Sequence, residues 1–335
     1  MNVPWRFILG LFLGLILGIS VFIGFVYTQL GVPTETSHYI YDVSLAKERL
    51  AANRSGPRIL IVAGSSALFG INAQLIEQQT GFPTINMGTA VGLNLDYRFY
   101  RLEKILRPGD TVLLACEYES YTNSVDFETT DDYVMGRDPE YFRQLSLLDK
   151  IYVATRVPFK RLQKGWRNRR TPEHVLIKTA HSPYNPFSAT YYPLDDNGDE
   201  MLNTAADRPP PQFLIGNLAR QIPSLVNGIP SGNTKGFEML TPFIEWAQAH
   251  HLTVLATFPN VIYHPVYDGP NGQKAIQTIT DFYASHGVPV VGTAREAMLP
   301  VDQFFDYMYH LTHQAALKRT ERLIPELRPY LHPAH

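Results

Sequence analysis

The sequence predicts an α/β protein, a parallel sheet wrapped by helices and held behind one N-terminal membrane helix. Three observations predict it. Residues 7 to 30, "FILGLFLGLILGISVFIGFVYTQL", run for 24 positions without a charge. From residue 58 to 119, and again from 236 onward, short apolar runs alternate with amphipathic helical periods, the order that builds a parallel sheet between helices. A chain of 335 residues, 45% hydrophobic and 18% charged, has enough apolar material to bury a sizeable core.

As a helix, the uncharged stretch would be about 36 Å long, enough for a hydrocarbon core of about 30 Å. Residues 1–30 are therefore read as a membrane anchor. The alternative is a cleaved signal peptide, whose apolar region would run about 7–15 residues and end at a small-residue site; "YTQLGVPTETS" offers no good one. Arg6 and the amino terminus precede the span with no acid among them, which favours an inside N-terminus and an extracytoplasmic body. Gly10, Gly14 and Gly18 recur every four residues and leave a smooth groove where another membrane helix can approach. Residues 31–57 read as a stalk with some helix, and the globular domain as 58–335.

Within that domain "RILIVAG" is a buried strand and "NAQLIEQQTG" an amphipathic helix stopped by Gly81. "PTINMG" is a second strand, "NLDYRFYRLEKIL" a second helix, and "DTVLLACE" a third strand introduced by the turn Pro108-Gly109-Asp110. The pattern resumes with the helix "GFEMLTPFIEWAQAHH", the strand "LTVLATFP", the helix "GQKAIQTITDFYASHG", a fifth strand "VPVVG" and a closing helix "THQAALKRTERLIPEL". Between the halves, residues 120–235 form an insertion rich in Tyr, Pro and Asn, with no sustained period. It leaves the carboxyl side of the third strand, where open parallel sheets bind ligands, and reads as a lid or substrate wall.

Composition excludes some functions. With 29 Lys+Arg against 31 Asp+Glu the formal net charge is -2, and no overall charge argues for nucleic acid. The one basic cluster, "KRLQKGWRNRR" at 160–170, reads as a solvated face or a contact with an anionic surface. The single cysteine, Cys116, lies in the apolar run "TVLLAC" and forms no intramolecular disulfide. No glycine-rich phosphate loop is present: "MGTAVG" lacks the dinucleotide spacing and "GSSALFG" lacks a Walker lysine. No cofactor is implied.

The chemistry concentrates at two places. In "ILIVAGSSALFGIN" two hydroxyls follow a buried strand. Either Ser65 or Ser66 caps the next helix, or one of them is a nucleophile. Near the other end, in "FFDYMYHLTHQAALKRT", Asp306 and His310 stand four apart before a helix whose expected cap is Thr312. All three groups fall at the carboxyl edge of the expected sheet. That is the arrangement for serine nucleophilic chemistry, with His310 as general base and Asp306 fixing its tautomer.

At these residues the chain resembles the SGNH/GDSL hydrolase superfamily, and within it the membrane-anchored acyltransferase-like branch that includes alginate O-acetylation proteins and the protein completing D-alanyl transfer onto teichoic acid. The resemblance implies a flavodoxin-like three-layer domain. The first motif, usually Gly-Asp-Ser, is Gly64-Ser65-Ser66 here, which implies Ser66 as nucleophile and Ser65 as its supporting neighbour. Asn86-Met87-Gly88 looks like the second motif, which implies that the backbone N–H groups of Gly88 and Ser66 form an oxyanion hole. "DYMYHLTHQAA" looks like the last motif. The resemblance covers 58–119 and 236–327 and leaves the insertion uncovered.

Two departures stand out. Where the family's third motif, Gly-x-Asn-Asp, supplies an oxyanion-binding Asn, this chain reads Cys116-Glu117-Tyr118-Glu119. An ionised Glu117 facing a developing oxyanion would oppose it, so this acid must point elsewhere, be protonated, or serve another role such as anchoring the insertion. The acid and histidine, usually three apart, are four apart, and one residue must be absorbed before His310; His313 is the rival base. Asn260 and His264 follow the fourth strand and are candidates to line the cleft. His264 has no ligand partner at metal spacing, and His250-His251 reads as the basic end of a helix.

The resulting expectation is a membrane-anchored enzyme of the cell envelope that moves a small acyl group to, or by hydrolysis from, hydroxyls of a surface glycan through an acyl-Ser66 intermediate. Its expected partners are the glycan acceptor and a multispanning membrane acyltransferase that delivers the acyl group. The rival expectation is a non-catalytic glycan-binding or scaffolding protein that has kept the fold without a complete oxyanion hole.

Overall fold

The computed structural model describes residues 4–89, 92–122, 127–171, 194–208 and 228–331. Two compact units form, one from Met1–Tyr39 and Phe127–Asn185, the other from Ile40–Asp126 and Pro186–His335.

The second unit is an α/β layer structure built on four short apolar runs. β1 (Ile59–Val62), β2 (Thr84–Asn86), β3 (Thr111–Leu114) and β4 (Thr253–Ala256) are buried almost throughout, as strands covered on both faces must be. All pair in parallel in the order β2-β1-β3-β4. The register sets Ile61 beside Asn86 and Leu113, and Leu114 beside Ala256, so the four strand ends share one edge.

The alternating side chains separate two cores. Leu60, Val62, Val112 and Val254 pack with α5 (Leu95–Glu103), α11 (Lys235–Ala249) and α12 (Pro270–Ser285). Ile59, Ile61, Leu113 and Leu255 pack with α4 (Ala73–Thr80) and α14 (His313–Leu327). Helix α4 starts on the Asn72 side chain, which accepts the Leu75 N–H at 2.7 Å, and stops at Gly81, whose φ of 79° suits a residue without Cβ.

The expected fifth strand is reduced to a single parallel bridge between Ala256 and Val290. Pro289 has no N–H to donate and Gly292 turns the chain at φ 72°, so the ladder cannot extend. A pair the sequence reading did not expect forms instead: β5 (Val261–Ile262) runs parallel to β6 (Met298–Leu299), which follows α13 (Ala294–Ala297) in the chain.

The stalk region holds a helix, α2 (Glu35–Asn53), that begins in the first unit and continues into the second. Its end is tied to the sheet by Arg58, which donates to the Ala51 and Ile105 carbonyls at 2.6 and 2.8 Å and pairs with the Asp110 carboxylate. Both side chains of that pair are fully buried.

The first unit starts with α1 (Trp5–Tyr27), 23 residues whose most apolar 18-residue stretch has a mean hydropathy of 2.6, long and apolar enough to cross a membrane. The residues after β3 are helical where the sequence reading saw no period. They form α6 (Tyr118–Thr122) in the second unit and α7 (Phe127–Arg137), α8 (Pro139–Gln144), α9 (Leu147–Arg156) and α10 (Phe159–Asn168) in the first. Val26 of α1 shares a small core with Met135, Ala154, Val157 and Leu162.

Candidate active site

The turn after β1 is where the first prediction meets the structure. Gly64 takes the N-cap position of α3 (Ser65–Gly70), and neither serine side chain caps it. Ser65 is partly exposed; Ser66 is buried and its Oγ donates to the Ala115 carbonyl at 3.2 Å. The N-terminus of α3 is instead held by Glu117. Its Oε2 accepts the Gly64 N–H at 3.0 Å and its Oε1 accepts the Ser66 N–H at 2.9 Å. Of the roles open to this acid, it takes that of an acceptor for N–H groups that have no partner inside the helix, which holds the turn. Burial pushes the neighbouring Cys116 thiol up to about 12, with Glu117 adding to the rise, so this cysteine stays a thiol.

The second expected motif lies against the same helix. A Cβ on Gly88 would come within 2.6 Å of the Leu68 nitrogen and 2.8 Å of the Gly64 oxygen, so only glycine permits this approach. The Gly88 N–H donates to the Asn86 Oδ1 at 2.9 Å. Asn86 is buried, and its amide nitrogen donates to the Ala67 and Ile71 carbonyls at 2.8 and 3.0 Å and to Asp199 at 2.9 Å. Both N–H groups expected to make an oxyanion hole thus already carry an acceptor, Glu117 on Ser66 and Asn86 on Gly88.

Asp306 and His310 are brought together. The loop that carries them is closed by a bridge between Phe304 and Leu311, by the Phe305 N–H on the His310 carbonyl at 2.7 Å, and by the His310 N–H on the Tyr307 carbonyl at 3.1 Å. The four-residue separation of Asp306 and His310 is spanned by this turn. His310 Nδ1 lies 2.6 Å from Asp306 Oδ1, and Nε2 is buried with no hydrogen-bond partner among the described residues. The imidazole stacks on Phe69 of α3 at 4.0 Å between ring centres, so the pair sits against the helix that opens with the two serines. His313 opens α14, and it is His310 that pairs with Asp306. Thr312 is the N-cap by backbone conformation, without a side-chain bond.

The remaining candidates are held in bonds of their own. Asn260 is fully buried; its amide donates to the Tyr309 carbonyl and accepts from Arg319 at 3.2 Å, bracing the end of α3 at Gly70. His264 accepts the Val266 N–H at 3.2 Å and caps a short turn, Pro265–Asp268. Of the expected aromatic substrate wall, Tyr121 is buried and bonds Tyr283 at 3.0 Å, Ile229 is buried, and the stretch "SPYNPFSATYYP" lies outside the described residues.

One cluster escaped the sequence reading. Lys47 of α2 is fully buried and donates to the Gly88 carbonyl at 2.6 Å. Burial pulls its ammonium down to about 7, against the opposing pull of Asp199, Glu200 and Asp195. Burial likewise pushes the Asp199 carboxyl up to about 7, with Asp195 adding to the rise. Glu200 also stands at about 7, raised mainly by burial; the Asp306 charge raises it further, while backbone N–H bonds and Lys47 oppose. Lys47 backs the Gly88 turn directly and Asp199 does so through Asn86. A lysine in "SLAKERL" reads as an exposed helical charge, but "DDNGDE" did carry a signal: an Asp-led turn, here with Gly198 at φ 81°. Among the described residues no group of His, Cys, Asp and Glu side chains is arranged to hold a metal.

Comparison of the chain with models of known protein families, with curated proteins and with solved structures finds no match.

Proposed function

We propose that this protein is a membrane-anchored serine acyl-transfer or ester-hydrolysing enzyme of the SGNH/GDSL type, acting on hydroxyls of a cell-envelope glycan. The single observation that carries the reading is the Asp306–His310 pair: Nδ1 is held by a carboxylate, while Nε2 is buried, unpartnered among the described residues and set against the helix that begins with Ser65 and Ser66. That polarity is what a general base needs. Ser66 Oγ would leave the Ala115 carbonyl, give its proton to His310 Nε2 and attack the acyl carbon of the donor. Collapse of the tetrahedral adduct expels the donor's leaving group with that proton and leaves an acyl-Ser66 ester. A glycan hydroxyl, or water in the esterase case, then attacks the ester as His310 takes its proton and returns it to Ser66.

The flavodoxin-like assignment and the role of 120–235 as an insertion near the substrate belong to the same proposal. So does the topology: α1 spans the membrane with its amino end inside, the body faces outward, and a multispanning partner supplies the acyl group. A second reading is favoured by a specific observation, the occupation of both expected oxyanion donors by Glu117 and Asn86. A fold that keeps the site closed in this way suits a non-catalytic glycan-binding protein.

Labelling of the purified full-length protein with a serine-reactive fluorophosphonate separates the two. The enzyme reading expects adduct on Ser66 and at least about a hundredfold slower labelling in His310→Ala, the size of general-base effects. Ser65→Ala should label at nearly the parent rate. Adduct on Ser65 would transfer the nucleophile to that residue, and no adduct together with saturable oligosaccharide binding would establish the binding protein.

A further inference from the structure

Helices α9 and α10 are amphipathic the wrong way round for a protein in water. Ala154 of α9 and Leu162 and Gly165 of α10 face the small core they share with Val26. The outward faces carry Leu147, Leu148, Ile151 and Tyr152 on α9, and Phe159 and Trp166 on α10. Leu147 and Leu148 are 73% and 78% exposed, and Phe159 71%. Beyond α1, the other large apolar side chains left exposed among the described residues are Met201 and Leu202.

The charges around these faces are mostly basic. Residues 143–170 contain nine Lys and Arg, of which Arg161 is buried and paired with Asp132, against one acid, Asp149. Arg169 lies 5.1 Å from the Trp166 ring centre and Arg156 5.0 Å from that of Tyr152, so cationic heads stand over the rims of the apolar faces.

The position of α10 along α1 names the surroundings. About 20 residues of helix cross a hydrocarbon core of about 30 Å. Counted from Trp5, the last turn of α1 then emerges at the headgroup level. That turn is where α10 is fixed: the Phe25 and Trp166 rings meet at a tilt of 38° with their centres 5.6 Å apart, and Phe25, Phe159, Gln163, Trp166 and Arg167 line one groove. Tryptophan and tyrosine favour this depth, and long basic side chains reach from it to phosphates.

We infer that α9 and α10 form a platform lying in the headgroup region of an anionic lipid leaflet at the exit of α1, with their outward apolar side chains in the upper acyl region and the flanking lysines and arginines on lipid phosphates. The inference rests on α1 crossing a bilayer and is independent of any catalytic activity. Apolar contact and charge attraction act together in such interfacial helices. The anchor then holds the first unit by one helix while the platform fixes the orientation and height of that unit.

The test uses full-length protein in nanodiscs of phosphatidylcholine with phosphatidylglycerol, part of the phosphatidylcholine carrying bromine on shallow acyl carbons. The chain has three tryptophans, so Trp5→Phe/Trp246→Phe leaves Trp166 as reporter, and Trp166→Phe/Trp246→Phe leaves Trp5 as the reporter of α1. Leu148→Trp with all three native tryptophans changed to Phe reports α9. The expected result is about a twofold loss of emission on bromination from both the α10 and the α9 reporter, as for an interfacial helix, with little quenching by acrylamide and a smaller loss when phosphatidylglycerol is omitted. Strong acrylamide quenching without a bromine effect, while Trp5 is quenched by bromine, would overturn the platform and leave the span intact. Shielding from both quenchers would mean that protein covers the face, which also overturns it. No bromine effect at any position would overturn platform and span together.

Discussion

In the unit that carries the sheet, Lys47, Arg58, Glu117, Asp199 and Arg319 are buried, and the large apolar side chains left well exposed among its described residues are Met201 and Leu202. In the unit that begins with α1, the buried core is a handful of residues around Val26, and Leu147, Leu148, Phe159 and Trp166 face outward. The first pattern is stable only if each buried polar group is partnered, because an unpaired charge in an apolar surrounding costs far more than a pair gains. The second is stable only if something other than water meets the surface. One unit thus buries its large apolar side chains within itself while the other, on the inference above, meets its surroundings with them, and the two should respond differently to the same kind of change.

The largest contrast is expected at the Arg58–Asp110 pair. Asp110 accepts the Arg58 N–H at 3.0 Å and the Arg107 N–H at 2.9 Å besides the guanidinium. Asp110→Ala strands a fully buried cation and should cost about 3–5 kcal/mol. The double variant Arg58→Met/Asp110→Leu should recover only part of it: no buried charge is left unpaired, but the Arg58 and Arg107 N–H groups and the Ala51 and Ile105 carbonyls lose their partners. Denaturant titration followed by Trp246 reads the sheet unit, and Trp166 reads the other; a loss seen equally by both would show that the units do not unfold separately.

The next effect is a matter of sign with pH. Glu200, raised to about 7 from 4.5, binds more protons folded than unfolded between those values. Its contribution is fully present below about 4.5 and is lost as pH rises through 7. Asp199 acts in the same direction from 3.8 to about 7, whereas Lys47, lowered to about 7, makes stability rise between 7 and 10.5. Glu200→Gln removes one of the two acid slopes. It should match the parent at pH 4.5 and exceed it by about 2 kcal/mol at pH 8, somewhat less where the lost charge had helped Lys47. Equal stabilities at both pH values would show that Glu200 ionises freely in the folded protein.

How much of this was legible follows the physics of each feature. The four strands were, because runs such as Ile59–Val62 are apolar on both faces and end in turn residues. Asp306 and His310 were, because an acid and a histidine before a helix form a local pattern. The fifth strand was overcalled because an apolar run hides the missing N–H of Pro289. Glu117 was visible as a misfit, but its target, the N–H groups of Gly64 and Ser66, lies some fifty residues away in the chain and leaves no spacing to read. Lys47 looks like any helical lysine until residues 194–208 bury it. Helices α9 and α10 show no core periodicity in the sequence because their largest apolar residues do not face a core.

The smallest effect tests whether the interior of the surroundings-dependent unit obeys ordinary packing rules. Gly165 lets α10 approach the end of α1: a Cβ there would fall 1.8 Å from Gln29 Oε1 and 2.5 Å from Arg161 Nη1. Both obstacles are the far ends of side chains, so they can yield, unlike backbone. Alanine gains about 1 kcal/mol of helix propensity over glycine, and overpacking costs about 1–3 kcal/mol; Gly165→Ala should therefore lose about 1 kcal/mol net. Shortening the obstacle should reverse the sign. In a Gln29→Ala background the same Gly165→Ala change should stabilise by about 0.5 kcal/mol, a coupling of the size expected for residues in contact. The measurement is the unfolding midpoint in nanodiscs followed by Trp166. No coupling between the two positions would mean that this close approach does not hold α10 to α1, and would remove the geometric link between the anchor and the apolar faces beside it.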